Sequence, residues 1–138
     1  MLLGEYSHNL DEKGRLAMPA KLRIELGDGA VITRGTDRCL VVYPKAAWEL
    51  LAAKLAALPI SDAGARSFAR LMLAGAAAVE FDKQGRANVP SYLRDYAGLT
   101  SSVVIAGVYD RLELWDAAAW QGYKASHSID ENLSEFGV

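Results

Sequence analysis

Short apolar runs alternate with turn-forming clusters along this chain, and each arrangement occurs twice. Tyr6 to Leu10 and Ala77 to Phe81 read as short strands entering a turn. Asp-x-x-Gly follows in both places, with the glycine where the turn needs a positive φ. Arg-x-x-x-Pro then predicts a brief second strand, and Pro19 or Pro90 is placed to open a helix of about two turns. Gly27 and Gly98 stand where that helix would be capped. Two further β runs complete each unit: Ala30–Arg34 with Cys39–Tyr43, and Val103–Ala106 with Leu112–Trp115.

Between the units the period becomes helical. Trp48, Leu51, Leu55 and Leu58 form one stripe, and Phe68, Leu71 and Met72 mark a second. Pro59-Ile-Ser-Asp separates them, with Ser61 or Asp62 as the N-cap. These stripes are expected to be core or subunit contacts. The run 74–79, with its single glycine Gly75, suggests close packing. A last helix carries Trp120 and Tyr123, and the polar, acidic tail from His127 is expected to fray.

The duplication can be counted. Sliding the chain by 71 residues lays 11–27 on 82–98 with seven identities in seventeen positions, Asp11/Asp82, Gly14/Gly85 and Arg15/Arg86 among them. About one would occur by chance at ordinary composition. Two copies of so long a unit predict a pseudo-symmetric pair, not a solenoid. The expected divisions are a first repeat over 1–58, a connecting helical segment over 59–74, a second repeat over 75–126 and a tail over 127–138.

Composition removes several classes of function. At 138 residues, 51% hydrophobic and 23% charged, the chain has the makeup of one globular domain. Its single cysteine, Cys39, permits no internal disulfide and no multi-cysteine metal site, and is expected to be a small buried apolar residue. The longest apolar or glycine run, 71–79, is nine residues, against the ~18 of a membrane span. The first residues lack the basic start and apolar stretch of a secretory signal. A cytoplasmic location is expected. There is no Ser-His-Asp order, phosphate loop or dinucleotide fingerprint, and His8 and His127 are isolated. No enzyme, cofactor or metal is expected.

The stretch GEYSHNLDEKGRLAMPAKLR, with DKQGRANVPSYLR one repeat later, resembles the MraZ family of bacterial transcriptional regulators, related to the AbrB and SpoVT type of DNA-binding domain. The resemblance runs from Met1 to about Tyr123. It implies a mainly β core with helices, α+β by content: a double-split, swapped-hairpin β-barrel made of two tandem AbrB-like repeats. It also implies a ring homo-oligomer on double-stranded DNA at repeated GTG-containing boxes. The target would be the division and cell-wall gene cluster, including the regulator's own gene, with repression as the outcome and the nucleoid as the place. The family's Asp-x-x-x-Arg element falls on Asp11 with Arg15 and on Asp82 with Arg86, and Arg23 and Arg94 match basic positions that help the superfamily grip DNA. Lys13, Lys83 and Gln84 complete the candidate DNA-binding set, with Asp11, Gly14, Asp82 and Gly85 shaping the turns. The loop centres differ, Glu12-Lys13 against Lys83-Gln84, so the two loops need not meet DNA alike. His8 and its counterpart Val79 stand where AbrB relatives carry arginine, and that contact is not transferred.

The chemistry fits the residue type. An arginine fork meets guanine O6 and N7 together, worth ~1–3 kcal/mol of discrimination. A rigid turn lowers the entropy lost in placing it. The aspartates cannot attract phosphate and are expected to accept turn amides and orient the arginines. The plainer alternative is a pair of turn ion pairs, each worth ~0–1 kcal/mol if exposed. Residues 11–23 and 82–94 are each +2 within a chain of net charge −2, which leaves −6 on the other 112 residues. Each chain should therefore bind DNA weakly, and a ring presenting many copies would gain by avidity. Two other readings remain open: an AbrB-type antitoxin, and a ring-forming protein-binding or structural module without DNA specificity.

Overall fold

Alternation of buried and exposed side chains sets the first strand. In the computed structural model, which describes residues 1–138, β1 (Leu2–Asn9) buries Leu2 and leads into buried Leu10. It lies antiparallel to β7 (Ser102–Tyr109) through eight pairs, from Leu2 opposite Tyr109 to Asn9 opposite Ser102. The strand begins four residues before the predicted Tyr6, because β7 is long enough to pair all of it. Its counterpart β5 is shorter than predicted, Ala77–Ala78 alone. The preceding helix runs to Ala74, and Gly75 lies against the Arg34 guanidinium, so the chain reaches the sheet edge late.

The remaining strands are β2 (Arg15–Ala17), β3 (Val31–Arg34), β4 (Leu40–Tyr43), β6 (Arg86–Asn88) and β8 (Leu112–Asp116). Six form an antiparallel sheet of order β1-β7-β8-β4-β3-β5, and β2 and β6 form a separate pair. The order is unchanged when the repeats are exchanged. The pseudo-twofold axis therefore passes between β8 and β4, and between β2 and β6. Single bridges, Leu10 to Leu16 and Phe81 to Ala87, tie the small sheet to the large one.

Two short helices follow the small strands, α1 (Ala20–Leu26) and α4 (Ser91–Ala97). Pro19 and Pro90 stand just before the first helical residue, with ψ 137° and 145°. Their carbonyls accept the amides of Leu22 and Arg23, and of Leu93 and Arg94. Leu22 with Leu26, and Leu93 with Ala97, are one turn apart and point into the core. A single cluster of seventeen buried residues draws Leu16, Leu22 and Leu40 from one repeat and Leu93, Ile105 and Leu112 from the other. Both repeats share one core.

Between them stand α2 (Lys45–Ala56) and α3 (Ala63–Ala74), the latter capped by Asp62, whose carboxylate accepts the Ala65 amide at 2.7 Å. Of the predicted stripes only Leu55 and Met72 are buried. Phe68 and Leu71 are exposed, and Leu50 and Ile60 more so, at 70% and 80%. The core is already filled by the sheets, so this helical pair meets it along one edge only. There the Thr33 hydroxyl donates to the Met72 carbonyl at 2.6 Å, and Arg34 Nη1 to the Leu71 carbonyl at 2.8 Å. A smaller cluster of Cys39, Val41 and Trp115 is covered by Trp120 and Tyr123 of α5 (Ala117–Ala125). Trp120 Nε1 and Lys124 Nζ both donate to Glu5 Oε1, which ties α5 to β1. After α5 a single 3₁₀ turn, Ile129–Asn132, lies among exposed residues. No helix is long and apolar enough to cross a membrane.

Candidate nucleic-acid interface

An aspartate four residues before an arginine can serve both ends of a tight turn. Asp11 Oδ1 accepts the amides of Lys13 at 3.0 Å and Arg15 at 2.8 Å, and Oδ2 accepts Arg15 Nε at 2.6 Å. The backbone closes the same turn, with the Asp11 amide donating to the Arg15 carbonyl and the Gly14 amide to the Asp11 carbonyl, both at 3.0 Å. Asp82 repeats the pattern: Oδ1 accepts the amides of Gln84 and Arg86 at 2.9 Å, and Oδ2 accepts Arg86 Nε at 2.8 Å. Gly14 and Gly85 have φ of 80° and 76°, a region that costs an ordinary side chain ~1–3 kcal/mol. The Arg15 amide, and then its guanidinium, hold the Asp11 carboxyl below the ordinary carboxylate range; Arg86 does the same for Asp82. Both acids are therefore charged at neutral pH, and each engages its arginine by Nε.

Pairing of the two short strands then places the arginines together. Arg15 lies opposite Asn88, Leu16 opposite Ala87 and Ala17 opposite Arg86. Leu16 and Ala87 point inward and are buried. By the period of two, Arg15, Ala17, Arg86 and Asn88 share the outer face. Arg86 Nη1 lies 4.0 Å from Asp11 Oδ2, so the Asp11 carboxylate faces both arginines. A shallow concavity on this side is lined by Lys13, Arg15, Asp82, Arg86, Asn88 and Glu80, among others. Lys13, Lys83 and Gln84 are exposed on the turns, as is Glu12. With four acids beside the four cations, the face is no broad basic patch.

Arg23 and Arg94 are placed differently. Arg23 Nη1 donates to the Met18 carbonyl and Arg94 Nε to the Val89 carbonyl. Each guanidinium also lies over the turn glycine of the other repeat, Arg23 over Gly85 and Arg94 over Gly14. The strand chains are stitched alongside: the Val89 amide donates to the Gly14 carbonyl at 2.7 Å and the Met18 amide to the Gly85 carbonyl at 3.2 Å. These half-buried arginines brace the turns. Motif spacing passed over Asn88 and Glu80. The alternation Arg86-Ala87-Asn88 was the available signal, since a strand that exposes Arg86 also exposes Asn88.

Elsewhere the chemistry is quiet. His8 pairs with Val103 in the sheet, and His127 stacks on Tyr123. No group of three His, Cys, Asp or Glu side chains is placed to hold a metal ion. Cys39 is buried, and desolvation pushes its thiol up to about 12.

Known proteins resemble this chain in sequence along its length. The family described as "MraZ protein, putative antitoxin-like" matches residues 1–71 and again residues 72–135, an offset equal to the repeat. A protein of Halothermothrix orenii named Transcriptional regulator MraZ is 52% identical over 133 residues, covering 95% of this chain and 93% of that one. One of the same name from Natranaerobius thermophilus is 48% identical over 136 residues, with 98% and 95% covered. Another from Syntrophomonas wolfei is 44% identical, with both chains covered in full. Matched once by each repeat and along the whole length by these relatives, the chain belongs to the MraZ family.

Proposed function

We propose that this protein is a sequence-specific DNA-binding transcriptional regulator that reads guanine-containing boxes with Arg15 and Arg86. The observation that carries the reading is the shared outer face of β2 and β6, where both guanidiniums stand on one two-stranded ribbon. A ribbon of this width can enter the major groove, and each fork, held at Nε by an aspartate, leaves its terminal nitrogens for guanine O6 and N7. Lys13, Lys83 and Gln84 would then reach the backbone or neighbouring bases, and Arg23 and Arg94 would act mainly by bracing the turns. The names of the relatives support the regulatory role. Members of this family are not enzymes, and neither is this chain.

The finer reading follows the family resemblance. The repeats 1–58 and 75–126, joined through 59–74, form a double-split barrel, a reading supported by the two bridges that link the sheets. Copies assemble into a ring, supported by the exposed apolar residues Leu50, Ile60, Phe68 and Leu71 on the helical pair. The ring binds tandem GTG boxes upstream of its own gene and represses the division and cell-wall cluster, in the cytoplasm at the nucleoid. With a pI of 5.7 the chain needs repetition for affinity, which avidity supplies by factors of ~10²–10⁴.

Gel shifts on duplexes from its upstream region, against scrambled duplexes, test this. The Arg15→Ala, Arg86→Ala double variant should keep its fold and oligomeric mass but lose specific binding, since each fork contributes ~1–3 kcal/mol in every copy. Wild-type affinity in the folded double variant would falsify the assignment. A monomeric mass by light scattering would remove the ring.

A further inference from the structure

The outer face that carries the two arginines is symmetric in its strands but not in its side chains. Across from Arg15 stands Asn88, exposed, while across from Arg86 stands Ala17, the repeat-equivalent of Asn88. The repeat thus supplies an arginine–asparagine pair at one end of the ribbon and an arginine–alanine pair at the other. We infer that Asn88 is a base-reading residue that makes the two halves of the interface unequal, so that the recognised DNA element is asymmetric: Arg15 with Asn88 reads guanine beside adenine, and Arg86 with Ala17 reads guanine without that adenine.

Three observations carry this beyond the arginines. First, Arg15 and Asn88 are directly opposed in an antiparallel ladder, where paired side chains lie ~4.5–5.5 Å apart at Cβ. Adjacent base pairs in one groove are within reach of such a pair. Second, Asn88 lines the same concavity as Arg15 and Arg86. Glu80 and Asp82 line it beside Lys13 and the two arginines, so donors and acceptors alternate there and a base edge, which carries both, is a fitting polar partner. Third, a primary amide offers one acceptor and one donor side by side, which matches adenine N6 and N7. Alanine at position 17 offers no such pair and at most an apolar contact to a thymine methyl.

This inference rests on the DNA reading above, and the experiment separates the two. The full-length protein and its folded variants Asn88→Ala and Ala17→Asn are each used to select from a pool of random-sequence duplexes. The selected duplexes are then compared, base by base, in competition binding. The wild type should enrich an element with adenine preferred at one side only. Asn88→Ala should keep the guanine positions and lose the adenine preference, by about tenfold in relative affinity. Ala17→Asn should gain an adenine preference on the opposite side. An unchanged element in Asn88→Ala, or an equal loss on every duplex, overturns the role of Asn88 while the DNA reading stands. No enriched element for the wild type overturns the DNA reading itself.

Discussion

The guanidinium of Arg94 lies over Gly14, the turn glycine of the other repeat. A Cβ at Gly14 would stand 2.9 Å from Arg94 Cζ and 2.8 Å from the Val89 carbonyl oxygen. Glycine is required there for two reasons, the positive φ and the absence of space.

The cost of alanine should therefore depend on what each glycine faces. Gly14→Ala meets backbone that cannot give way, whereas the nearest atoms to a Cβ in Gly85→Ala belong to the end of the Arg23 side chain. Gly98→Ala, at φ 60° with nothing within 4 Å, pays strain alone. Strain accounts for ~1–3 kcal/mol at each site, and the expected order of loss in urea unfolding is Gly14, then Gly85, then Gly98. Equal losses would show that the close approach is without energetic weight.

Arg23 and Arg94 should matter to stability as well as to binding. Each alanine variant loses a hydrogen bond to the carbonyl of the residue that follows a short strand, a net effect of ~0.5–1.5 kcal/mol. A double-mutant cycle sharpens this: Gly85→Ala should cost less when Arg23 is already alanine, because the obstructing guanidinium is gone. Strict additivity would mean the two residues do not interact.

The turns should respond to acid but not to changes near neutrality. Folding lowers the pKa of Asp11 and Asp82, so their contribution is complete above the ordinary carboxylate value of ~3.9 and is lost as pH falls through the lower folded value. The side-chain carboxyl ¹³C shifts of Asp11 and Asp82, measured by NMR, should be flat from about pH 8 to 5 and move only in stronger acid. An inflection above ~4 would show that the arginines do not stabilise these carboxylates.

Cys39 should be inert in the native protein. Burial raises its thiol to about 12, so almost no thiolate exists at neutral pH, and the sulfur is shielded from reagents. Iodoacetamide followed by mass spectrometry should label it only after unfolding. Rapid labelling of the folded chain would place Cys39 at the surface.

Local chemistry determined much of this protein before any fold was known. The 71-residue repeat, the Asp-x-x-Gly-Arg turns and the proline ahead of each short helix are visible as residue types at fixed spacing, because φ preference, capping and alternation act within a few residues. The arginines could be named from the same spacing. Their neighbours could not.

Only the tertiary structure decided that β2 pairs with β6, which sets Asn88 against Arg15 and Ala17 against Arg86. It alone laid Arg94 over Gly14, let β1 reach back to Leu2, and placed Phe68 and Leu71 outside the chain's own core. The reason is common to all four. A periodic pattern states that one face of an element is apolar, but the partner and register of that face depend on chain segments far away in sequence.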